Sequence, residues 1–211
     1  MHINIRSIRQ NFDELVVYIN ALKSKPSIIC LSEAWISKDF NCDLFKLNED
    51  SPMLYKHGKS RNEGVILYIH QTLTYDEEEI HSSMNIVGAK CVTQNNESFL
   101  VFCLYNSPTE NKILFCNKLD ALMQSYSEKN VPIFILGDVN IDLHKNNSLT
   151  DAYYNVIHSS GFSQLVSEPT RVDKNSRTLL DHILHNNYVT DLEVYVEKID
   201  ITDHYAVQIT L

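Results

Sequence analysis

The 211-residue chain contains no run of about eighteen apolar residues, so no membrane-spanning helix is expected. Its first residues, Met1-His2-Ile3-Asn4-Ile5-Arg6, lack the apolar core of a secretory signal, which implies an intracellular protein. No internal repeat, low-complexity tract or Gly/Pro-rich linker divides it, so a single domain over 1–211 is expected. The histidines fall at no metal-ligand spacing, and no zinc site is expected. The five cysteines are odd in number and form no CxxC pair. Cys30, Cys91 and Cys103 sit inside apolar runs, the pattern of buried reduced thiols. Positive charge is scarce as well: 18 Lys and Arg stand against 27 Asp and Glu, a formal net charge of −9. That balance argues against a domain that holds nucleic acid mainly by bulk electrostatics. It leaves room for a metal-dependent nuclease, whose active site gathers carboxylates.

What is present suits a globular core, with 44% hydrophobic residues. Ile8, Phe12, Leu15, Val16, Ile19 and Leu22 recur at helical spacing and predict a helix over about 8–24, ended by Pro26. Ile28-Ile29-Cys30-Leu31 and Ile133-Phe134-Ile135-Leu136 are continuously apolar, as strands buried on both faces are. Residues 36–62 read as irregular. Strands are predicted near 64–70, 73–80, 86–93, 98–105, 178–185, 190–197 and 204–211. A second helix is expected over 110–126, and a third near 150–160 between Thr150 as N-cap and Gly161 as C-cap. Strand runs with inserted helices imply two packed sheets flanked by helices.

Several polar residues stand where strands give way to loops. Glu33 follows one apolar strand, Asp138 follows the other, Asp181 follows Leu179-Leu180, and Asp203-His204 opens the last strand. Asn4 ends the first strand. A carboxylate abutting an apolar strand needs a partner, a metal or solvent. Asp138 and Asn140, two apart, would point the same way in extended backbone and could grip one water molecule. Gly137-Asp138-Val139-Asn140 also reads as an ordinary turn. His182 should point away from Asp181 and is read as structural. Tyr105 ends a strand, where its phenol could bond a phosphate oxygen or simply edge the core. The acidic run Asp76-Glu77-Glu78-Glu79 reads as a solvated turn or strand edge. Two basic clusters, Lys56/Lys59/Arg61 and Arg171/Lys174/Arg177, are either solvated loops or phosphate contacts on a groove rim.

Seven segments stand in order along the chain: Asn4-Ile5-Arg6-Ser7-Ile8-Arg9, Leu31-Ser32-Glu33-Ala34-Trp35, Leu104-Tyr105 with Pro108, Gly137-Asp138-Val139-Asn140-Ile141-Asp142, Glu168-Pro169-Thr170-Arg171, Thr178-Leu179-Leu180-Asp181-His182-Ile183 and Thr202-Asp203-His204. In these the chain resembles the endonuclease/exonuclease/phosphatase superfamily, and within it the endonuclease domain of LINE-type (non-LTR) retrotransposons. The resemblance implies a deoxyribonuclease-I-like α/β fold, a four-layered sandwich of two mixed β-sheets flanked by helices. It implies a phosphodiesterase that uses Mg²⁺, with Mn²⁺ able to substitute, and that nicks DNA. Carried over by position, Glu33 would be the main metal ligand and Asp203 a second, direct or through water. Asp138 and Asn140 would orient and deprotonate the attacking water. His204 would stabilise the transition-state phosphate or move a proton, and Asp181 would fix its tautomer. Asn4 and Tyr105 would bond phosphate oxygens or neighbouring groups. Arg6 stands where some relatives carry an acidic residue, and Thr202 replaces the usual serine. The first strand is short, with only His2 and Ile3 before Asn4. The resemblance further implies DNA as partner, a reverse transcriptase domain in the same polyprotein, a monomer and action in the nucleus. Two other readings stay open: a catalytically decayed or domesticated binding module, and a phosphatase of the same fold.

Overall fold

The computed structural model describes residues 1–48 and 52–210. In chain order the elements are β1 (His2–Asn4), α1 (Ile8–Ala21), β2 (Ile28–Ser32), β3 (Met53–Lys56), β4 (Val65–Ile69), β5 (Thr74–Glu77), β6 (Asn85–Val92) and β7 (Ser98–Tyr105). There follow α2 (Lys112–Tyr126), β8 (Ile133–Asp138), α3 (Ser148–Ser159), β9 (Ser163–Gln164), β10 (Arg171–Val172), β11 (Arg177–Thr178), β12 (Asp181–His185), β13 (Glu193–Glu197) and β14 (Ala206–Thr210). One six-stranded sheet runs β13-β14-β1-β2-β4-β3, the other β5-β6-β7-β8-β12-β9, and β10 and β11 form a small ribbon.

The apolar strands are buried on both faces because each face meets a different layer. In β2, Cys30 packs into the core between the sheets, while Ile29 and Leu31 face a second core with Ile8, Leu15 and Ile19 of α1. Val65, Leu67 and Ile69 of β4 take the inner side, and Ile66 and Tyr68 the outer. Phe115, Leu119, Tyr153 and Ile157 from α2 and α3 close the far side of the second sheet. The order is helix, sheet, sheet, helices, which is the four-layered sandwich that the resemblance implied. Cys30, Cys91, Cys103 and Cys116 are buried, Cys42 is half-buried, and all five are free thiols.

Several local expectations need correction. α1 ends at Ala21, with Leu22 already extended and Lys25 Nζ donating to the carbonyls of Ile19, Asn20 and Leu22. The stretch expected to be irregular holds a 3₁₀ turn, Cys42–Phe45, and the edge strand β3, which is only four residues long and half-buried. Residues 49–51 of that stretch, and Leu211 at the end of the expected last strand, lie outside the described residues. The N-cap of α3 is Asn147, whose side chain accepts from Leu149 and Thr150. Thr150 is the reciprocal member of that capping box. Gly161 does follow the helix in a left-handed conformation, φ 77°. The acidic run begins in β5, an exposed edge strand of its sheet.

Topology gathers the loop-bearing strand ends on one edge of the sandwich. β1 runs parallel to β2, with Asn4 opposite Ser32, and antiparallel to β14. β7 runs parallel to β8, with Tyr105 opposite Asp138, and β12 runs antiparallel to β8, with Asp181 opposite Asp138. The ends of β1, β2, β7 and β8 and the starts of β12 and β14 therefore share that edge. Gly137 sets the close approach there, since a Cβ on it would lie 2.0 Å from the Leu104 carbonyl oxygen in β7. Gly137→Ala should lower stability by about 1–3 kcal/mol through overpacking, read by urea unfolding. An unchanged midpoint would show that β7 and β8 part at little cost.

Candidate active site

Asp138 and Asp181 face each other across β8 and β12, and both are fully buried. Two opposed carboxylates repel unless a cation or proton intervenes. His204, 2% exposed, supplies the charge: its Nδ1 lies 2.8 Å from Asp181 Oδ2. Burial works against a charged imidazole, but Asp181, Asp138 and Asp203 together outweigh it and push His204 up to about 9. Burial works equally against the Asp181 carboxylate, and the His204 charge and hydrogen bond outweigh it and hold Asp181 low. Asp138 has no such direct partner. Burial, with help from Asp181 and Glu33, pushes it up to about 7.

Asn4 joins the two sheets at this point. Its Nδ2 donates to Asp138 Oδ2 at 2.9 Å and to Glu33 Oε1 at 3.0 Å. Those two acceptors fix the orientation of the amide, and Asn4 Oδ1 is left buried without a partner. Thr202 Oγ1 donates to the Asn4 carbonyl and accepts from the His204 amide, so the hydroxyl tethers β1 to the Asp203-His204 segment. The Tyr105 phenol is buried beside Glu33, and burial and the two carboxylates Glu33 and Asp138 push its pKa far up.

The Gly137–Asn140 segment reconciles its two readings. Asp138 Oδ1 accepts the Asn140 N–H at 2.9 Å, and Asn140 adopts φ 50°. It is therefore an Asx-type turn, not the extended pair that would aim both side chains one way. The turn still serves the site, because the Asn140 amide donates to the Asn106 carbonyl at 3.0 Å and is fixed there. Among the described residues seven non-glycine residues have positive φ, and five of them, Arg6, Ser7, Glu33, Trp35 and Asn140, belong to this edge. Each costs of order 1–3 kcal/mol, and such strain concentrates at functional sites.

All eight residues singled out in the sequence meet on this edge: Asn4, Glu33, Tyr105, Asp138, Asn140, Asp181, Asp203 and His204. Four further residues join them. Thr170 Oγ1 accepts the amides of Leu180 and Asp181, which sets the start of β12 and explains why the Glu-Pro-Thr-Arg segment accompanies Leu-Asp-His-Ile. His2 Nδ1 lies 3.5 Å from the second oxygen of Asp181, and burial pushes His2 down to about 4. Arg6 and Arg171 each reach Asp203 at 2.7 Å. Arg6 was visible as the basic residue two places after the first asparagine, and Arg171 as part of a basic cluster; His2 gave no signal. His182 is structural as expected, buried and bonded through Nδ1 to Tyr153 at 2.8 Å. Lys56 donates to the Ser82 carbonyl, while Lys59 and Arg61 are exposed.

Two donor groups could hold a cation. Asp138, Asp181 and His204 bring ligand atoms within 4.8 Å of one another, but His204 and Asp181 already neutralise each other there. Glu33 is more open, with its side chain 15% exposed on a groove that Trp35, Tyr105, Ser107 and Thr202 also line. Its second oxygen lies 4.0 Å from Arg6 Nε, and the Tyr105 phenol approaches the same carboxylate. Oxygen donors only, including the orphaned Asn4 Oδ1, suit a hard divalent ion, which takes one or two protein carboxylates and keeps its waters.

A sequence model of the Endonuclease/Exonuclease/phosphatase family matches residues 1–204. The chain belongs to this family. Its members' fold is shared by solved structures at low sequence identity. The endonuclease domain of TRAS1, a telomere-specific non-LTR retrotransposon, superposes with TM-score 0.78 at 13% identity over 98% of this chain and 94% of that one. The Xenopus laevis APE2 catalytic domain gives 0.76 at 17% identity over 99% and 90%. A mannosyl-6-phosphatase of Bacteroides thetaiotaomicron gives 0.68 at 12% over 100% and 98%. No curated protein sequence matches the chain. As a family member the chain has the fold of hydrolases, both nucleases and phosphatases. Among the described residues no helix is long and apolar enough to cross a membrane.

The ion pair has a pH signature in protein freed of divalent ions. His204 is raised from 6.5 to about 9, so its contribution is complete below pH 6.5 and lost as pH rises through 9. Asp138, raised from 3.8 to about 7, loses its contribution earlier, as pH rises through 7. Urea unfolding should show stability falling between pH 6.5 and 9 by up to about 3 kcal/mol, with a flatter curve for His204→Gln. Parallel curves for the two proteins would mean that His204 is not charged by its surroundings.

Proposed function

We propose that the chain is a Mg²⁺-dependent endonuclease that hydrolyses DNA phosphodiester bonds, the target-site nicking domain of a non-LTR retrotransposon. The observation that carries this reading is Asn4 Nδ2 shared between Glu33 and Asp138, which ties an open carboxylate to a buried acid–base cluster. Glu33 would hold the ion, which when bound supplies positive charge to the phosphoryl oxygens. Asp138, near neutrality in its affinity for protons, takes the proton of the attacking water. The Asn140 side chain, fixed by Asn106, orients that water. His204, held as an imidazolium by Asp181, donates a hydrogen bond where negative charge develops on the phosphate. Tyr105, held neutral, is a further donor to a phosphate oxygen.

DNA over other phosphate esters is favoured by an open groove and by the coupling of Thr170 to Asp181, which joins the two segments most like retrotransposon endonucleases. The likeness to the TRAS1 domain points the same way. On this reading a reverse transcriptase domain belongs to the same polyprotein, and the domain works as a monomer in the nucleus. A phosphatase of this fold is the second reading, favoured by the likeness to the mannosyl-6-phosphatase.

Supercoiled plasmid assayed with Mg²⁺ should be nicked, and EDTA should abolish nicking. Asp138→Ala or His204→Ala should lower the rate by about 10²-fold or more, the scale of a general acid or base. Wild-type protein that leaves plasmid intact but hydrolyses phosphomonoesters would replace this reading with the phosphatase. A variant within tenfold of wild type would remove that residue from the reaction.

A further inference from the structure

Asp203 binds two arginines that come from distant parts of the chain. Its Oδ1 takes Arg6 Nη1 at 2.7 Å and its Oδ2 takes Arg171 Nε at 2.7 Å. Each guanidinium has five N–H groups; Arg171 Nε hydrogen-bonds Asp203 Oδ2, while Arg6 meets Oδ1 as an ion pair. Both side chains are partly open, 43% exposed for Arg6 and 35% for Arg171, and Arg6 lines the groove that contains Glu33.

The backbone builds this arrangement at both ends. Arg6 is left-handed, φ 45°, and the Asn11 side chain ties down the carbonyls of Ile5 and Arg6. The Ser7 amide donates to the Glu33 carbonyl. Arg171 pairs with His204 through an isolated antiparallel bridge, and Tyr205 donates to the Thr170 carbonyl at 2.7 Å. Two guanidinium groups on Asp203 leave this trio net positive, with Glu33 4.0 Å from Arg6 Nε as a further anion. Planar N–H forks suit phosphate oxygens, which accept them bidentately.

We propose that Asp203 is a positioning residue that presents Arg6 and Arg171 as a two-pronged clamp for DNA backbone phosphates beside the scissile one. This rests on the nuclease reading and adds how the substrate is gripped. It also gives Asp203 a different task from the second metal ligand expected from sequence, since each of its oxygens is ion-paired with an arginine.

The test is binding of a labelled DNA duplex by fluorescence anisotropy in EDTA, which separates grip from metal, across a series of KCl concentrations. Arg6→Gln and Arg171→Gln should each make the slope of log K against log salt shallower by about 0.9, one phosphate contact each. Asp203→Asn removes negative charge, so charge alone would tighten binding. The clamp instead requires binding to weaken several-fold, and the added Arg6→Gln change to matter less in that background. Calorimetry with Mg²⁺ should give the same affinity for Asp203→Asn as for wild type. Unchanged slopes, tighter binding by Asp203→Asn, or loss of its Mg²⁺ binding would each overturn the clamp. The variants at the two partly open arginines keep the test decisive if Asp203→Asn fails to fold. Unchanged slopes in a wild type that nicks plasmid defeat the clamp alone. A wild type that binds with the expected salt response but cleaves no DNA supports the clamp and defeats the nuclease reading.

Discussion

Asp138 and Asp181 lie opposite one another on adjacent buried strands, and the surrounding residues are arranged to make that tolerable. Unpaired, two such charges would drive one carboxyl to stay protonated or the strands to part. His204 settles it by giving Asp181 a buried counter-charge, which frees Asp138 to remain the weaker acid of the pair. Environment therefore assigns different tasks to two chemically identical side chains, one to hold a cation and one to exchange a proton near neutrality. Asn4 then extends the arrangement across the sandwich to Glu33.

The fold makes this affordable by holding the polar cluster against rigid sheet on both sides. Cores on the two faces of each sheet bury the strands themselves, and the strained residues sit only at their ends. Left-handed backbone at Arg6, Ser7, Glu33, Trp35 and Asn140 is destabilising in isolation. It persists because strand pairing and hydrogen bonds such as Ser7 to Glu33 leave the chain no alternative path. The short β1 is central in this respect, since it lies between β14 and β2 and ends in Asn4.

Much of this was legible from residue order. Continuous apolar runs marked β2 and β8 because both faces of those strands are covered, and a carboxylate after each run marked Glu33 and Asp138. The four-residue edge strand β3 and the two-residue strands β9, β10 and β11 are too short to leave a pattern. The extended reading of Asp138 and Asn140 failed because the Asp138 side chain captures the Asn140 amide and turns the chain, a local competition that spacing does not reveal. Asp203 met arginines from positions 6 and 171 only through tertiary pairing, and His2 of β1 met Asp181 of β12 across the packing of the two sheets. Such contacts join residues far apart in sequence, and no motif within either segment announces them.

The account rests on His204 being charged by the carboxylates around it. NMR titration of its imidazole in protein freed of divalent ions measures that directly. A midpoint near 9, with Nδ1 protonated and bonded to Asp181 throughout the neutral range, is the result expected from the structure. A midpoint at or below the ordinary 6.5 would mean that Asp138 and Asp181 are kept apart by other means, and the assignment of base and counter-charge would fail.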